Sequence, residues 1–325
     1  MKISVIIPIF KVEKFVERCI YSLLEQSFDD IEYIFVDDCS PDKSIQILKN
    51  ALSLYPYRLN QVKILTHMEN KGLPSARNSG LSIAKGDYIF HCDSDDWVEK
   101  DMLQSLYDVA IQEDADIVWC DWYLSFEKNE RYMTQPRYTT PIDALKGILS
   151  GVMKYNVWNK LVKRSLYEEN HIQFPTGHGM GEDMTMIKLF ACANKVAYLP
   201  KAYYHYVKLN GEAYTNTFSL RHLEDIRYNV DNTILFLKER YNNELNDYIS
   251  FFKLSVKYPF IISDKRKNHV LWNEWYPESN KYIALNPYFS WRSKFLQYAA
   301  KNKQYWILWL HYILVYRFIY GVLYR

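Results

Sequence analysis

Up to Leu124 the apolar residues fall in blocks of two kinds. Ser4–Phe10 (SVIIPIF), Glu32–Asp38 (EYIFVDD), Val62–Met68, Asp87–Cys92 and Asp116–Leu124 are short, β-branched and nearly continuous in apolar residues, the pattern of strands buried on both faces. Between them the apolar positions recur at helical spacing. Val12, Phe15, Val16, Cys19, Ile20, Leu23 and Leu24 trace one helix face, and Ile45, Leu48 and Leu52 another. Pro74 opens a third helix that runs to about Lys85, and Lys100–Gln112 forms a fourth. This alternation predicts an α/β fold: a mostly parallel central sheet flanked by helices. After about Asn156 the pattern loosens. Val196–Val207 reads as a pair of short strands, and from Ser219 the chain reads as mostly helical, with Leu220, Leu223, Ile226, Val230, Ile234 and Leu237 on one stripe. The expected organisation is a domain over 1–218 and a helical region over 219–325.

Composition narrows the class. With 325 residues, 49% of them apolar and 24% charged, the chain is neither disordered nor fibrous. The net charge of +2 conceals a split: Ser279–Arg325 holds seven basic residues and no acid, which leaves the first 278 residues at −5. The five cysteines include no C-x-x-C pair, so free thiols in a reducing compartment are expected. The N-terminal apolar run is too short for a signal peptide, and Pro8 lies within it.

Open α/β sheets bind ligands beyond the carboxyl ends of their strands, so the residues that follow each strand matter most. The second strand ends in Asp37, Asp38, Cys39 and Ser40, and the fourth in Asp93, Ser94, Asp95 and Asp96. Each cluster could merely cap a helix, as Asp42 and Asp101 are expected to do. Together, on strands of one sheet, they repel one another unless a cation sits among them. Mg²⁺ and Mn²⁺ suit such oxygens and commonly complete their shell with phosphates, which points to a nucleoside diphosphate. No G-x-G-x-x-G follows the first strand and no G-x-x-x-x-G-K-[ST] occurs, so a Rossmann dehydrogenase and a P-loop kinase lose their main support.

The blocks SVIIPIFKVEKFVERCIYSLLEQSF, EYIFVDDCSPDKS and NKGLPSARNSGLSIAKGDYIFHCDSDDWV, in this order and spacing, resemble glycosyltransferase family 2, inverting enzymes of the GT-A fold that use nucleotide sugars. The resemblance covers residue 3 to about residue 210. It implies that Pro8, Ile9 and Phe10 line the base pocket and that Asp38 holds the uracil of a UDP-linked donor. Arg77 would lie near the diphosphate. Asp93, Ser94 and Asp95 match the D-x-D motif, with Asp93 near ribose and metal, Asp95 on the metal (Mg²⁺ or Mn²⁺) and Asp96 as the trailing acid. Gly181, Glu182 and Asp183 match the E-D motif. Inverting transfer is one displacement in which a carboxylate takes the acceptor's proton, and the resemblance gives that role to Asp183, with Glu182 supporting it or contacting the acceptor. Trp158, Asn159 and Lys160 resemble a block on the acceptor side, although a core tryptophan would read the same way. His205 and Lys208 are weaker candidates for the diphosphate. The acceptor implied is a glycan or a polyprenyl-diphosphate-linked sugar in bacterial surface-polysaccharide assembly.

The tail QYWILWLHYILVYRFIYGVLYR has about a dozen apolar residues before Arg317, short for a membrane span and suited to a helix lying in the interface. Trp291, Trp306 and Trp309 suit the headgroup level, and Lys294, Lys301 and Lys303 suit anionic lipid. The expectation is a cytoplasmic protein, peripheral on the inner face of the plasma membrane; packing of the tail on the catalytic domain is the alternative. No nucleic-acid motif accompanies the basic aromatic tail, and the acidic body argues against that partner. Two other functions stay open. A nucleotidyltransferase would need a basic, Gly-rich loop after the first strand, which FKVEKF matches poorly. A non-catalytic sugar- or lipid-binding module would not need the carboxylates.

Overall fold

A computed structural model describes residues 1–209 and 219–323, with side chains to Phe318. The boundary expected at Phe218 and the last basic residue, Arg325, lie outside the described residues. Two units emerge, residues 1–145 with 155–236 and residues 146–154 with 237–325.

The first unit is built on a nine-stranded sheet: β1 (Ile3–Ile9), β2 (Ile31–Asp37), β3 (Val62–Thr66), β4 (Tyr88–His91), β5 (Trp97–Val98), β6 (Ile117–Ser125), β7 (Glu130–Met133), β8 (Lys160–Lys163) and β9 (Val196–Val207). The order is β3-β2-β1-β4-β8-β6-β9-β5, with β7 beside β6. The pairs β1–β2, β2–β3, β1–β4 and β6–β9 are parallel, and β5, β7 and β8 run against the rest. Every residue of β1 and β2 is buried, which is why both read as nearly continuous apolar runs. The helices are α1 (Val16–Leu24), α2 (Ser44–Ser53), α3 (Leu73–Ile83), α4 (Met102–Gln112), α5 (Pro141–Leu149), α6 (Arg164–Glu169), α7 (Thr185–Cys192) and α8 (Leu220–Tyr241). β1 lies between β2, which follows it, and β4, which enters on its other side. This reversal of strand order opens a crevice at the carboxyl ends of β1 and β4.

One expected element differs. Val196–Val207 is a single twelve-residue strand and not a pair. Its partner β6 steps from Cys120↔Leu199 to Asp121↔Ala202, so Pro200 and Lys201 form a bulge. A proline without an N–H is accommodated there while the strand continues on both sides.

The second unit contains α9 (Asn246–Lys257), α10 (Arg266–Glu274), α11 (Trp291–Lys301) and α12 (Tyr305–His311), which continues as a π-helical segment over Tyr312–Leu323. Its core is organised around buried Lys257. The Lys257 Nζ donates to Trp275 O (2.8 Å) and Asn280 Oδ1 (2.6 Å) and lies 4.1 Å above the Trp272 ring. Burial lowers its pKa to about 7.

Candidate active site

The site is built outward from α3. Gly72, with φ of +85°, turns the chain into this helix, and Pro74 fits its first turn, where no N–H is needed. The buried face carries Ala76, Arg77 and Gly80. A Cβ at Gly80 would stand 2.4 Å from Ile6 Cγ2, so only glycine lets α3 lie this close to β1. The close approach carries Arg77, which is 1% exposed, beneath the end of β4. There its Nη2 donates to Asp93 Oδ1 at 2.9 Å and lies 4.0 Å from Glu182 Oε1. The neighbouring Asn78 grips another segment: Phe174 N donates to its Oδ1 (2.9 Å), and its Nδ2 donates to Phe174 O (2.8 Å). Two adjacent residues of α3 thus tie the D-x-D loop to the stretch that leads into Glu182 and Asp183.

That stretch is braced from its far side by α8. Asn229 Nδ2 donates to the carbonyls of His178 (3.1 Å) and Met180 (2.8 Å). Asp225 pairs with His178 Nδ1 at 3.2 Å, and Tyr228 stacks on the His178 ring at 3.7 Å. Gly181, with φ of +86°, then presents Glu182 and Asp183 in a single turn ahead of α7.

Charge dominates the resulting cluster. Burial works against the Arg77 cation, but Asp93, Asp183 and Glu182 outweigh it and raise its pKa. For Asp183 burial is the largest influence, opposed by Arg77 and reinforced by Asp93, and the pKa rises to about 6. Burial, then the charge of Asp183, raises Glu182 to about 8. Two buried carboxyls this close do not both ionise readily, so the pair retains a proton above the ordinary carboxylate range. Asp183 Oδ1 is buried without a hydrogen-bond partner, as are Arg77 Nε and Nη1. Buried polar atoms of this kind mark places where a ligand or water is expected.

The other strand-end acids are used differently. Asp38 Oδ1 accepts from Lys71 N (2.8 Å) and from His67 Nδ1 (2.7 Å), and its Oδ2 accepts from Gly72 N (2.8 Å). His67 Nε2 meets Ser79 Oγ at 2.8 Å, consistent with the Nδ1–H tautomer donating to Asp38. These three bonds leave one of the four lone-pair positions of the buried Asp38 carboxylate. Asp96 is enclosed: Tyr204 OH donates to its Oδ2 (2.8 Å) and Val207 N to its Oδ1 (2.7 Å), while burial, then Asp95 and Asp93, raise its pKa. Asp93 and Asp95 are half-buried, and Ser94 is buried between them. Pro8 and Ile9 are buried at the end of β1, and Phe10 turns outward beneath the Lys11 ammonium, 5.2 Å from its ring.

The block Trp158, Asn159 and Lys160 divides. Trp158 stacks on Tyr204 (4.5 Å) and Tyr206 (5.3 Å). Asn159 is fully buried, donating to Cys120 O (2.7 Å) and accepting from Lys160 Nζ (2.8 Å), so it positions the lysine. Burial lowers Lys160 to about 7, against the opposing pull of Asp183. His205 lies apart from the acids of the cluster, between Glu130 (2.7 Å) and Glu99 (2.9 Å), stacked 3.4 Å from Trp97. Lys208 Nζ donates to Tyr206 OH at 3.0 Å. Sequence reasoning missed His67, Asn78, Asp225 and Asn229; of these only Asn78, inside the SARN segment, lay in a stretch already singled out.

The family model for glycosyl transferase family 2 matches residues 4–185. The chain belongs to this family. The family 2 enzyme is 32% identical to the glycosyltransferase GlyG of Streptococcus pneumoniae over 237 residues, which make up 69% of this chain and 76% of GlyG. It is 34% identical to EpsJ of Bacillus subtilis, an uncharacterized glycosyltransferase, over 63% of this chain and 60% of EpsJ. The crystal structure of Staphylococcus aureus TarS 1–349 has a TM-score of 0.69 at 20% identity, covering 96% of this chain and 91% of that one. The protein is thus a glycosyltransferase with a GT-A fold, resembling bacterial enzymes of the surface-polysaccharide type.

Among the described residues no group of three or more His, Cys, Asp or Glu side chains is placed to hold a metal by itself. The donor set nevertheless fits a hard divalent ion. Asp93 and Asp95, both half-buried, would offer carboxylate oxygens to such an ion, and Mg²⁺ or Mn²⁺ is ordinarily completed by substrate phosphates. Burial raises the pKa of both Glu182 and Asp183, so a cation placed beside them would favour their ionised forms.

Proposed function

We propose that the protein transfers a sugar from a UDP-linked donor to an acceptor hydroxyl with inversion at the anomeric carbon, in the assembly of a bacterial surface polysaccharide. The observation that carries this reading is the convergence of Asp93, Glu182 and Asp183 on the buried guanidinium of Arg77. A donor diphosphate seated against the D-x-D loop would have its leaving oxygens near Arg77, whose two unpartnered nitrogens are ready donors. Asp183, ionised near neutral pH, takes the acceptor's proton as the hydroxyl attacks. Glu182, pushed upward by burial and by the charge of Asp183, stands beside it in the same buried cluster. Pro8, Ile9 and Phe10 flank the base, with Asp38 offering its remaining lone pair. Asp93 and Asp95 would hold Mg²⁺ or Mn²⁺, which when bound stabilises the departing diphosphate. The acceptor is a glycan or a lipid-linked sugar, with Trp158 on its side of the crevice and Asn159 and Lys160 behind it. The crystal structure of TarS with UDP-GlcNAc supports a UDP sugar, and that of a Pyrobaculum calidifontis mannosyltransferase with GDP-Man and Mn²⁺ supports a metal.

A panel of UDP-, GDP- and dTDP-sugars, read by nucleotide release and by the anomeric configuration of the product, tests the reaction. Release of UDP with an inverted product is expected; pyrophosphate release or a retained configuration overturns the reading. Thermal shift by UDP with and without Mn²⁺ tests the metal. Chelation is expected to remove the stabilisation by UDP, and an unchanged shift contradicts the role of Asp93 and Asp95.

A further inference from the structure

The end of the second unit turns its apolar residues outward. In α11, Trp291, Phe295 and Tyr298 recur at i, i+4 and i+7 on the exposed side, Trp291 with 81% of its surface open, while Leu296, Ala299 and Ala300 face inward. In α12 and its continuation, Trp306, Trp309, Leu310, Leu314 and Phe318 are each at least 42% exposed, and Leu308 on the other side is fully buried. A helix packed on one core normally keeps its apolar stripe inward. Here a second stripe, rich in tryptophan, faces out along both helices, more apolar surface than scattered exposed residues would give.

The charges carried by α11, α12 and the turn between them are of one sign. Arg292, Lys301 and Lys303 are exposed, and no Asp or Glu occurs after Glu278. A second copy docking by a two-fold contact would set basic residues against basic residues, which opposes association. An anionic bilayer supplies the opposite charge and an apolar layer for the rings, and tryptophan prefers that boundary. Among the described residues no helix is long and apolar enough to cross a membrane, and Arg317 interrupts the segment, so contact would be lateral.

We propose that α11 and α12 form a membrane-surface anchor that seats the protein on anionic lipid, with the tryptophans at the headgroup boundary and Arg292, Lys301 and Lys303 against the lipid phosphates. Binding of this kind needs neither donor nor turnover, so its failure would leave the glycosyl-transfer reading intact.

Co-sedimentation of the full chain with phosphatidylcholine vesicles, and with vesicles that also contain phosphatidylglycerol, tests the anchor. Partitioning onto the anionic vesicles is expected to exceed that onto phosphatidylcholine by at least about tenfold and to weaken with salt. Trp306→Ala with Trp309→Ala, and separately Arg292→Glu with Lys301→Glu, should each lower it by about tenfold or more while the melting temperature holds. The charge pair and the salt titration of the unaltered protein keep the test valid if the tryptophan variant is unstable. Equal partitioning onto both vesicles, or none, overturns the proposal. So does a dimer that Trp306→Ala with Trp309→Ala converts to monomers without any vesicle binding, which would identify a second copy as the occupant.

Discussion

The ends of β2 and β4 look alike in sequence, each a strand that runs into paired acids, yet the structure uses them in opposite ways. At the end of β2, Asp38 is fastened by Lys71 N, Gly72 N and His67, so its main work is to hold the turn that launches α3. At the end of β4 the division falls within one cluster. Asp96 is enclosed by Tyr204 and Val207 N, whereas the Asp93 carboxylate accepts from a side chain, the Arg77 guanidinium, and remains half-buried at the crevice. A strand-end carboxylate is structural where backbone N–H groups take up its oxygens. It is available for chemistry where a buried cation holds it and leaves the rest of its surface open.

The largest effect expected is at the cation itself. Arg77→Met would leave Asp93, Glu182 and Asp183 facing one another in a buried site. Turnover should fall by at least about three orders of magnitude, and the fold should lose about 3–5 kcal/mol. Denaturant melts and nucleotide release measure the two, and a stable, active variant would break the comparison at its centre.

The two strand ends separate most cleanly in a pair of isosteric changes. Asp38→Asn replaces an acceptor of N–H groups by a partial donor and should cost about 1–3 kcal/mol of stability, with donor affinity lost as the Lys71–Gly72 turn loosens. Asp93→Asn should cost less stability than Asp38→Asn, because the amide oxygen still accepts from Arg77 and relief of repulsion from Glu182 and Asp183 offsets the lost counter-charge, while transfer falls by about two orders of magnitude. If both variants lost stability equally, the distinction between fastening and reacting carboxylates would be wrong.

A smaller effect follows from pH. Asp183 must be ionised to accept a proton, so kcat/KM should fall roughly tenfold per unit once it is protonated, with a midpoint at or below the value of about 6 that burial gives the metal-free site, because a bound cation favours the carboxylate. Stability should move the other way. The raised carboxyls bind protons more tightly when folded, so their contribution is complete below the ordinary carboxylate range and is lost as pH rises through about 6 and about 8. Thermal melts in chelator across this range measure it, and a stability that rises from pH 6 to 8 would contradict the burial of the pair.

Much of this was legible in the chain. β1, β2 and β4 declared themselves because burial on both faces leaves few polar positions inside them. The acids were legible as strand ends, but nothing local separated Asp38 and Asp96 from Asp93, since the difference lies in partners such as Gly72 N and Val207 N that come from distant segments. The brace from Asp225, Tyr228 and Asn229 to the His178–Met180 loop left no pattern, because contacts across about fifty positions have no period. The two-residue β5 was too short to read, and Pro200 disguised one strand as two.

The most direct test is Asp183→Asn, assayed side by side for sugar transfer and for UDP binding. The substitution keeps shape and removes only the ability to take a proton. Transfer should fall to background while UDP binds with nearly unchanged affinity, because the base, D-x-D loop and Arg77 contacts remain. Transfer near the normal rate would show that Asp183 is not the base and would contradict the account.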